Sequence, residues 1–311
     1  MKTYNFPIEC EESLYDEAIK EYVSIVSKYP EVISIVQYGS VGVAGISDID
    51  LIVYLDDKTN CTNNYSLYQI SLKYHSLLMH DVFIVPFSLM SKSYLITSIF
   101  NTKSIYGCEF YVESKTEKED ILESIILLND IAVVSLLHEY NLWYRTKNKD
   151  IKLIIARLNS IKYPYLLLEK INKYYNIYCD NDEYYQDFID RFSKFRTNWF
   201  SKSKEDNLEI LYEFIFEAKE KFAPMLLKDI YKLHDNIKLF EKEKNEISFK
   251  QGKHIITGSD SRIFMNLIGY SNTEGSVSSF VKQNLSTEIK YLNIDEEYDS
   301  ILKERIRIIN I

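Results

Sequence analysis

The first third of the chain combines a helical hydrophobic pattern with several strand-like ones. Apolar residues recur at helical spacing between Glu11 and Lys28, which predicts a helix that ends before Pro30. Three short apolar runs then have the length and composition of strands: 32–38, 48–55 and 81–85. The segment 65–79, between the last two runs, is compatible with a helix. This order predicts a mixed β-sheet flanked by helices.

The hydrophobic pattern changes near Thr116, where strand signals fade and long helical periodicity takes over. Two stripes each fall on one helical face: Ile125, Leu128, Ala132 and Leu136, then Tyr185, Phe188, Phe192, Phe195 and Trp199. The sequence therefore predicts an α+β protein with two domains. The first, residues 1–115, holds the mixed sheet, and the second, residues 116–311, is all-α and contacts a substrate or partner.

Composition and charge narrow the classes of function. The chain has 37 Lys and Arg against 46 Asp and Glu, a formal net charge of −9, which disfavours nucleic acid as a partner unless a local basic patch overrides it. The N-terminal residues lack the pattern of a signal peptide, and no apolar stretch is long enough to span a membrane. We expect a cytoplasmic protein with no membrane contact.

The stretch VQYGSVGVAGISDIDLIVYL, residues 36–55, concentrates candidate chemistry. It holds three of the eight glycines in the chain, at positions 39, 42 and 45. Glycine lets backbone N–H groups approach an anion closely, and a short helix predicted to begin near Ser40 would direct its positive end to the same place. We expect Gly39 and Ser40 to bind phosphate.

Two aspartates follow this turn. In a strand, Asp48 and Asp50 point to one face while Ile49 points to the other, and the two carboxylates repel each other with no Lys or Arg close in sequence. Carboxylate oxygens of this kind suit Mg²⁺. Asp81 opens the next apolar run and would supply a third carboxylate, which would allow two metal ions. Its neighbour His80 is expected to point to the opposite face of that strand.

These residues resemble the nucleotidyltransferase superfamily typified by polymerase β and the aminoglycoside nucleotidyltransferases. The resemblance covers residues 30–112, from the Gly39-Ser40 turn and the Asp48-Ile49-Asp50 strand to the Ile105-Tyr106-Gly107 turn. It implies that Asp48, Asp50 and Asp81 hold two Mg²⁺ ions and that Gly39 and Ser40 hold the β- and γ-phosphates of an NTP, with ATP as the expected donor. The loop of seven residues between Ser40 and Asp48 is shorter than the family usually has.

The resemblance implies an Mg²⁺-dependent enzyme that transfers NMP from an NTP to a hydroxyl of a small molecule or protein and releases pyrophosphate. Two alternatives stay open: a toxin-like nucleotidyltransferase directed at RNA or tRNA, and a catalytically inactive nucleotide-binding regulatory module. The Asp pair could also be simple turn chemistry. Lys152 and Arg157, on a later helical segment, are expected on a solvated face or in structural ion pairs.

Overall fold

A computed structural model describes residues 2–58, 63–95, 101–133, 148–237, 247–251 and 254–258. The chain divides into two compact units. The first unit comprises Met1–Ser114, Lys147–Ala156 and Lys194–Ser203, and the second comprises the remaining segments. The predicted domains, 1–115 and 116–311, stay a prediction.

A four-stranded mixed sheet forms the centre of the first unit. Its strands are β2 (Val32–Tyr38), β3 (Asp50–Leu55), β4 (Phe83–Pro86) and β5 (Lys103–Gly107), in the order β4-β3-β2-β5. Strand β2 is antiparallel to β3 and β5, whereas β3 and β4 are parallel, with Ile52 opposite Phe83. A separate parallel pair joins β1 (Lys2–Tyr4) to β6 (Asn148–Asp150). Strand β2 has its predicted bounds, and β3 and β4 each begin two residues later than expected.

The helix Ser13–Val26 shares a core with one face of β3, while Ile52 and Tyr54 on the other face are buried as well. Helix α1 (Ser13–Val26) lies inside the predicted 11–28 range, and its apolar stripe, including Tyr15 and Tyr22, is buried. The alternate β3 residues Leu51, Val53 and Leu55 join the same core. Because side chains alternate along a strand, Asp50 belongs to the opposite face.

The segment 65–79 does not form the single helix that its pattern allows. It forms two 3₁₀ helices, Leu67–Gln69 and Leu72–Leu77. The Ser66 hydroxyl accepts a hydrogen bond from the backbone N–H of Tyr68, and the Glu21 carboxylate accepts two from Ser71, each 2.7 Å long. These hydrogen bonds start a new turn at each serine, which interrupts a continuous helix.

In the described part of the chain, six further helices and a hairpin follow the sheet. The helices are α2 (Glu117–Val133), α3 (Ile151–Ser160), α4 (Lys162–Tyr175), α5 (Asp182–Thr197), α6 (Lys204–Glu217) and α7 (Ala223–Ile237), with a π-helical turn at Ala218–Phe222. The division between the units falls inside α3 and α5. The antiparallel hairpin of β7 (Ile247–Gln251) and β8 (His254–Gly258) belongs to the second unit, so strands occur there beside the predicted helices.

The predicted apolar stripes can be checked where the structure describes them. All five aromatic residues of the later stripe, from Tyr185 to Trp199, are buried. In α2, Ile125 and Leu128 are buried, whereas the Ala132 side chain and Leu136 lie outside what the structure describes. The protein is therefore mixed α/β, with a small mixed sheet and several helices. Within the described ranges, none of the helices has both the length and the apolarity needed to cross a lipid bilayer.

Candidate metal site beside a glycine turn

The connection between β2 and β3 is a compact turn held by one serine. The Ser47 hydroxyl accepts hydrogen bonds from the backbone N–H groups of Gly42 and Val43, each 3.1 Å long. The N–H of Ser47 in turn donates to the carbonyl of Val43 over 2.9 Å. The short helix predicted near Ser40 is therefore wrong, because this single turn uses the N–H groups that would have begun it.

The same turn is anchored to helix α1. The Tyr15 hydroxyl accepts a hydrogen bond from the Gly45 N–H over 3.0 Å and donates one to the Ser47 carbonyl over 2.7 Å. Gly45 has a φ of +81°, and a Cβ there would lie 2.1 Å from the carbonyl oxygen of Ile8. The requirement for glycine at position 45 is therefore structural.

Asp48 and Asp50 converge with His80 on the sheet face opposite α1. Nε2 of His80 lies 2.7 Å from Oδ1 of Asp50 and 3.6 Å from Oδ2 of Asp48. One ligand atom from each of the three residues lies within 4.8 Å of the others, so the cluster could hold a metal ion. The side chains are partly buried, with exposed fractions of 19% for Asp48 and 32% for His80.

The three groups perturb one another electrostatically. Burial, followed by the charge of Asp50, raises the pKa of Asp48 to about 6. Burial lowers the pKa of His80, but its hydrogen bonds with Asp50 and with the Asp81 carbonyl outweigh that effect and raise the pKa to about 9. With no metal bound, a protonated His80 therefore balances part of the charge of the two carboxylates at neutral pH.

Lys152 lies in the interior of the same unit. Its side chain is 1% exposed, and its ammonium group donates to the Ser76 carbonyl, in the segment that leads to His80. Its charge lowers the pKa of Asp48, against the larger effects of burial and Asp50. Burial lowers the pKa of Lys152 itself. The expectation of a solvated face for Lys152 is therefore wrong.

The structure does not bring Asp81 into this cluster. Oδ1 of Asp81 accepts hydrogen bonds from the backbone N–H groups of Leu67, over 2.6 Å, and Val82, over 2.8 Å. Strand β4 begins only at Phe83, so Asp81 precedes the ladder and the alternation of a strand does not govern its side chain. Leu67 belongs to the core on the α1 side of the sheet, away from Asp50.

The third residue of the cluster is His80 and not Asp81, which was predicted for that role. The expectation that His80 faces away from the aspartates is wrong, because the chain is irregular between the 3₁₀ helix Leu72–Leu77 and β4. No local motif marks His80 as a site residue. The available signal was its place just before a strand that lies parallel to β3, since the starts of adjacent parallel strands meet at one sheet edge.

The predicted phosphate-binding residues adjoin the cluster. Gly39 has a φ of +74°, and a Cβ built there would lie 3.0 Å from Oδ2 of Asp50. Ser40 is exposed, and within the described part of the chain no hydrogen bond engages its hydroxyl. Gly39 therefore lies at the edge of the Asp48, Asp50 and His80 cluster, and the exposed Ser40 follows it in the chain.

Comparison of the chain with protein families, with curated proteins and with solved structures finds no match. Two carboxylates and an imidazole beside an open backbone turn can bind a divalent cation together with an anionic ligand of that cation. Phosphate groups are common ligands of this kind, because the cation offsets their charge and a glycine turn leaves their oxygens room to approach.

Proposed function

We propose that this protein is a divalent-metal-dependent nucleotidyltransferase that moves NMP from an NTP to a hydroxyl group. One observation carries the proposal: the Cβ position of Gly39 lies 3.0 Å from the Asp50 carboxylate. A cation held by Asp48 and Asp50 would therefore lie beside Gly39, where the turn has no side chain. Metal-bound phosphates could then lie against the backbone, as the resemblance to the superfamily implies.

The chain's own residues have distinct roles in this proposal. Asp48 and Asp50 hold the cation, which when bound offsets the negative charge of the phosphates. Gly39 and Ser40 bind the β- and γ-phosphates and orient the α-phosphorus. The acceptor oxygen bonds to that phosphorus, the bond to the bridging oxygen breaks, pyrophosphate leaves with the electron pair, and the hydroxyl proton passes to solvent. Such a transfer depends on positioning and charge neutralisation.

We propose one metal ion where the resemblance implies two. We also leave its identity as a divalent cation, where the resemblance implies Mg²⁺. The cluster contains two carboxylates, and Asp81 is engaged by backbone N–H groups, so we propose one protein-held cation. The resemblance favours ATP as the donor. The net charge of −9 favours a small molecule or a protein as the acceptor over RNA.

The experiment supplies each α-³²P-labelled NTP separately, with Mg²⁺ or Mn²⁺ and three acceptor pools: small hydroxyl compounds, cell protein and total RNA. We expect label transfer to one pool that is lost in Asp48→Ala and in Asp50→Ala. Asp56→Ala is the matched control, because Asp56 directly follows β3 and is exposed, and within the described residues its carboxylate bonds to the nearby Lys58 N–H alone. Absence of transfer to every pool would contradict the proposal, and transfer to RNA would revise the acceptor.

One observation favours a second candidate, a nucleotide-binding regulatory module without turnover. Asp81, the third carboxylate that the resemblance implies for transfer, is hydrogen-bonded to Leu67 and Val82. This candidate predicts metal-dependent NTP binding that Asp48→Ala abolishes, with no label transfer in any pool. Equilibrium binding of a fluorescent NTP, measured with and without Mn²⁺, tests the binding that both candidates require, and the label-transfer experiment separates them.

A further inference from the structure

We infer that His80 is the third protein ligand of the cation and that it gives the site a preference for Mn²⁺ over Mg²⁺. This inference rests on the cation site of the proposed function, and it assigns to His80 a role that the nucleotidyltransferase resemblance does not supply. Three observations support it: the spacing of the donor atoms, the orientation of the imidazole ring, and the incomplete hydrogen bonding of the Asp48 carboxylate.

The donor atoms have the spacing of neighbouring ligands around one ion. Adjacent ligands of an octahedral ion at about 2.1 Å lie about 3.0 Å apart, from the right angle between the bonds. Nε2 of His80 lies 2.7 Å from Oδ1 of Asp50 and 3.6 Å from Oδ2 of Asp48. All three ligand atoms lie within 4.8 Å of one another, so small movements of the side chains would place one ion in contact with all three.

The imidazole ring is fixed in the orientation that metal-bound histidines use. Nδ1 of His80 lies 2.7 Å from the backbone oxygen of Asp81. A carbonyl oxygen only accepts hydrogen bonds, so Nδ1 carries a proton and Nε2 faces the two carboxylates. Metal-bound histidines commonly donate their second ring N–H to a carbonyl in this way. Nε2 can then carry a second proton or bind a cation at the same position.

The Asp48 carboxylate is the least satisfied of the three groups. Its side chain is 19% exposed, and within the described part of the chain no other residue donates a hydrogen bond to it. Nε2 of His80 lies 3.6 Å from its Oδ2, beyond hydrogen-bonding distance. A largely buried carboxylate whose hydrogen-bond donor is its own backbone N–H is costly, and a cation between Asp48 and His80 would offset that cost.

The donor chemistry predicts which ion benefits from His80. Mg²⁺ is bound by oxygen ligands, whereas divalent transition ions accept imidazole nitrogen as well as carboxylate oxygen. Mn²⁺ suits carboxylate and water ligands as Mg²⁺ does, and it tolerates nitrogen. Replacement of His80 should therefore weaken Mn²⁺ binding more than Mg²⁺ binding, and this difference is the signature of the inference.

The test uses the full-length protein, loaded with Mn²⁺ alone and studied by electron paramagnetic resonance. Pulsed measurements on the wild-type protein should show ¹⁴N modulation from a directly bound imidazole. His80→Gln should remove that modulation and raise the Kd for Mn²⁺ by at least about tenfold, with a smaller change for Mg²⁺. His75→Gln is the matched control, because His75 is partly buried and its Nε2 lies 3.0 Å from the Ile70 oxygen, outside the cluster.

The outcomes separate failure of this inference from failure of the proposed function. If Asp48→Asn abolishes Mn²⁺ binding but the wild-type protein shows no imidazole modulation, His80 is a counter-ion. That result overturns the inference and leaves the proposed function intact. If Asp48→Asn leaves the Kd for Mn²⁺ unchanged, the cation does not lie at this cluster and both fail. Because the modulation is read from the wild-type protein, misfolding of a variant cannot imitate its absence.

Discussion

Asp48→Asn should stabilise the metal-free protein while abolishing its metal binding. The pKa of Asp48 is about 6 in the folded protein against an ordinary value of 3.8, a difference that corresponds to ~3 kcal/mol against folding with the carboxylate ionised. The attraction of His80 at 3.6 Å is already included in this pKa, because it lowers the value that burial and the charge of Asp50 raise. We therefore expect a net gain of up to ~3 kcal/mol in the free energy of unfolding.

The pH dependence has a definite sign. An acid whose pKa is raised in the folded state binds protons more tightly there, so stability falls as the pH rises from 3.8 to about 6. The cost is complete above pH 6 and vanishes well below 3.8. The stabilisation by Asp48→Asn should therefore be full at about pH 7.5 and smaller at about pH 4.5.

Urea unfolding in the presence of a chelator measures both effects. Asp56→Asn is the control, since Asp56 is exposed and a surface change of this kind is expected to stay within about 0.5 kcal/mol. Mn²⁺ at one hundred times its Kd should stabilise the wild-type protein by ~2.7 kcal/mol and leave Asp48→Asn unchanged. A loss of stability in Asp48→Asn at about pH 7.5 would refute the reasoning, because it would give the carboxylate a structural role.

Two other substitutions probe the surroundings of the cluster. Gly39→Ala should lower the free energy of unfolding by ~1–2 kcal/mol, because residue 39 has a φ of +74°, and should weaken Mn²⁺ binding through contact with Asp50. Gly42→Ala is the control, because a Cβ there would lie 3.9 Å from its nearest neighbour, and it should change neither quantity. Urea unfolding and metal titration measure the two effects. Asp81→Ala should cost ~1–3 kcal/mol, because two backbone N–H groups lose their acceptor, and should leave the Kd for Mn²⁺ within about threefold. A larger loss of Mn²⁺ affinity would instead make Asp81 a metal ligand.

The elements that sequence reasoning placed well are those set by local periodicity. Helix α1 and strand β2 have strong single-period patterns, and the structure confirms them nearly residue by residue. Asp48 and Asp50 lie together, as the alternation of a strand predicted, although β3 begins only at Asp50 and Asp48 precedes it. The aromatic stripe from Tyr185 onward is buried for the same kind of reason.

The errors lie where side-chain hydrogen bonds to the backbone override periodicity. Ser66 and Ser71 divide the segment that was expected to be one helix. Asp81 satisfies two backbone N–H groups ahead of β4, so its neighbour His80 reaches the aspartates instead. Such bonds join residues far apart in sequence, as with Leu67 and Asp81, and a hydrophobic pattern contains no information about them.

The central claim is that Asp48 and Asp50 hold a divalent cation beside the Gly39 turn. The most direct measurement is a crystal structure of the protein with Mn²⁺ and an NTP analogue that resists transfer, with data collected at a wavelength where manganese scatters anomalously. We predict an anomalous peak about 2.1 Å from a carboxylate oxygen of each aspartate, with phosphate density against Gly39 and Ser40. A peak elsewhere in the molecule, with the two aspartates still paired to His80 alone, would contradict the account.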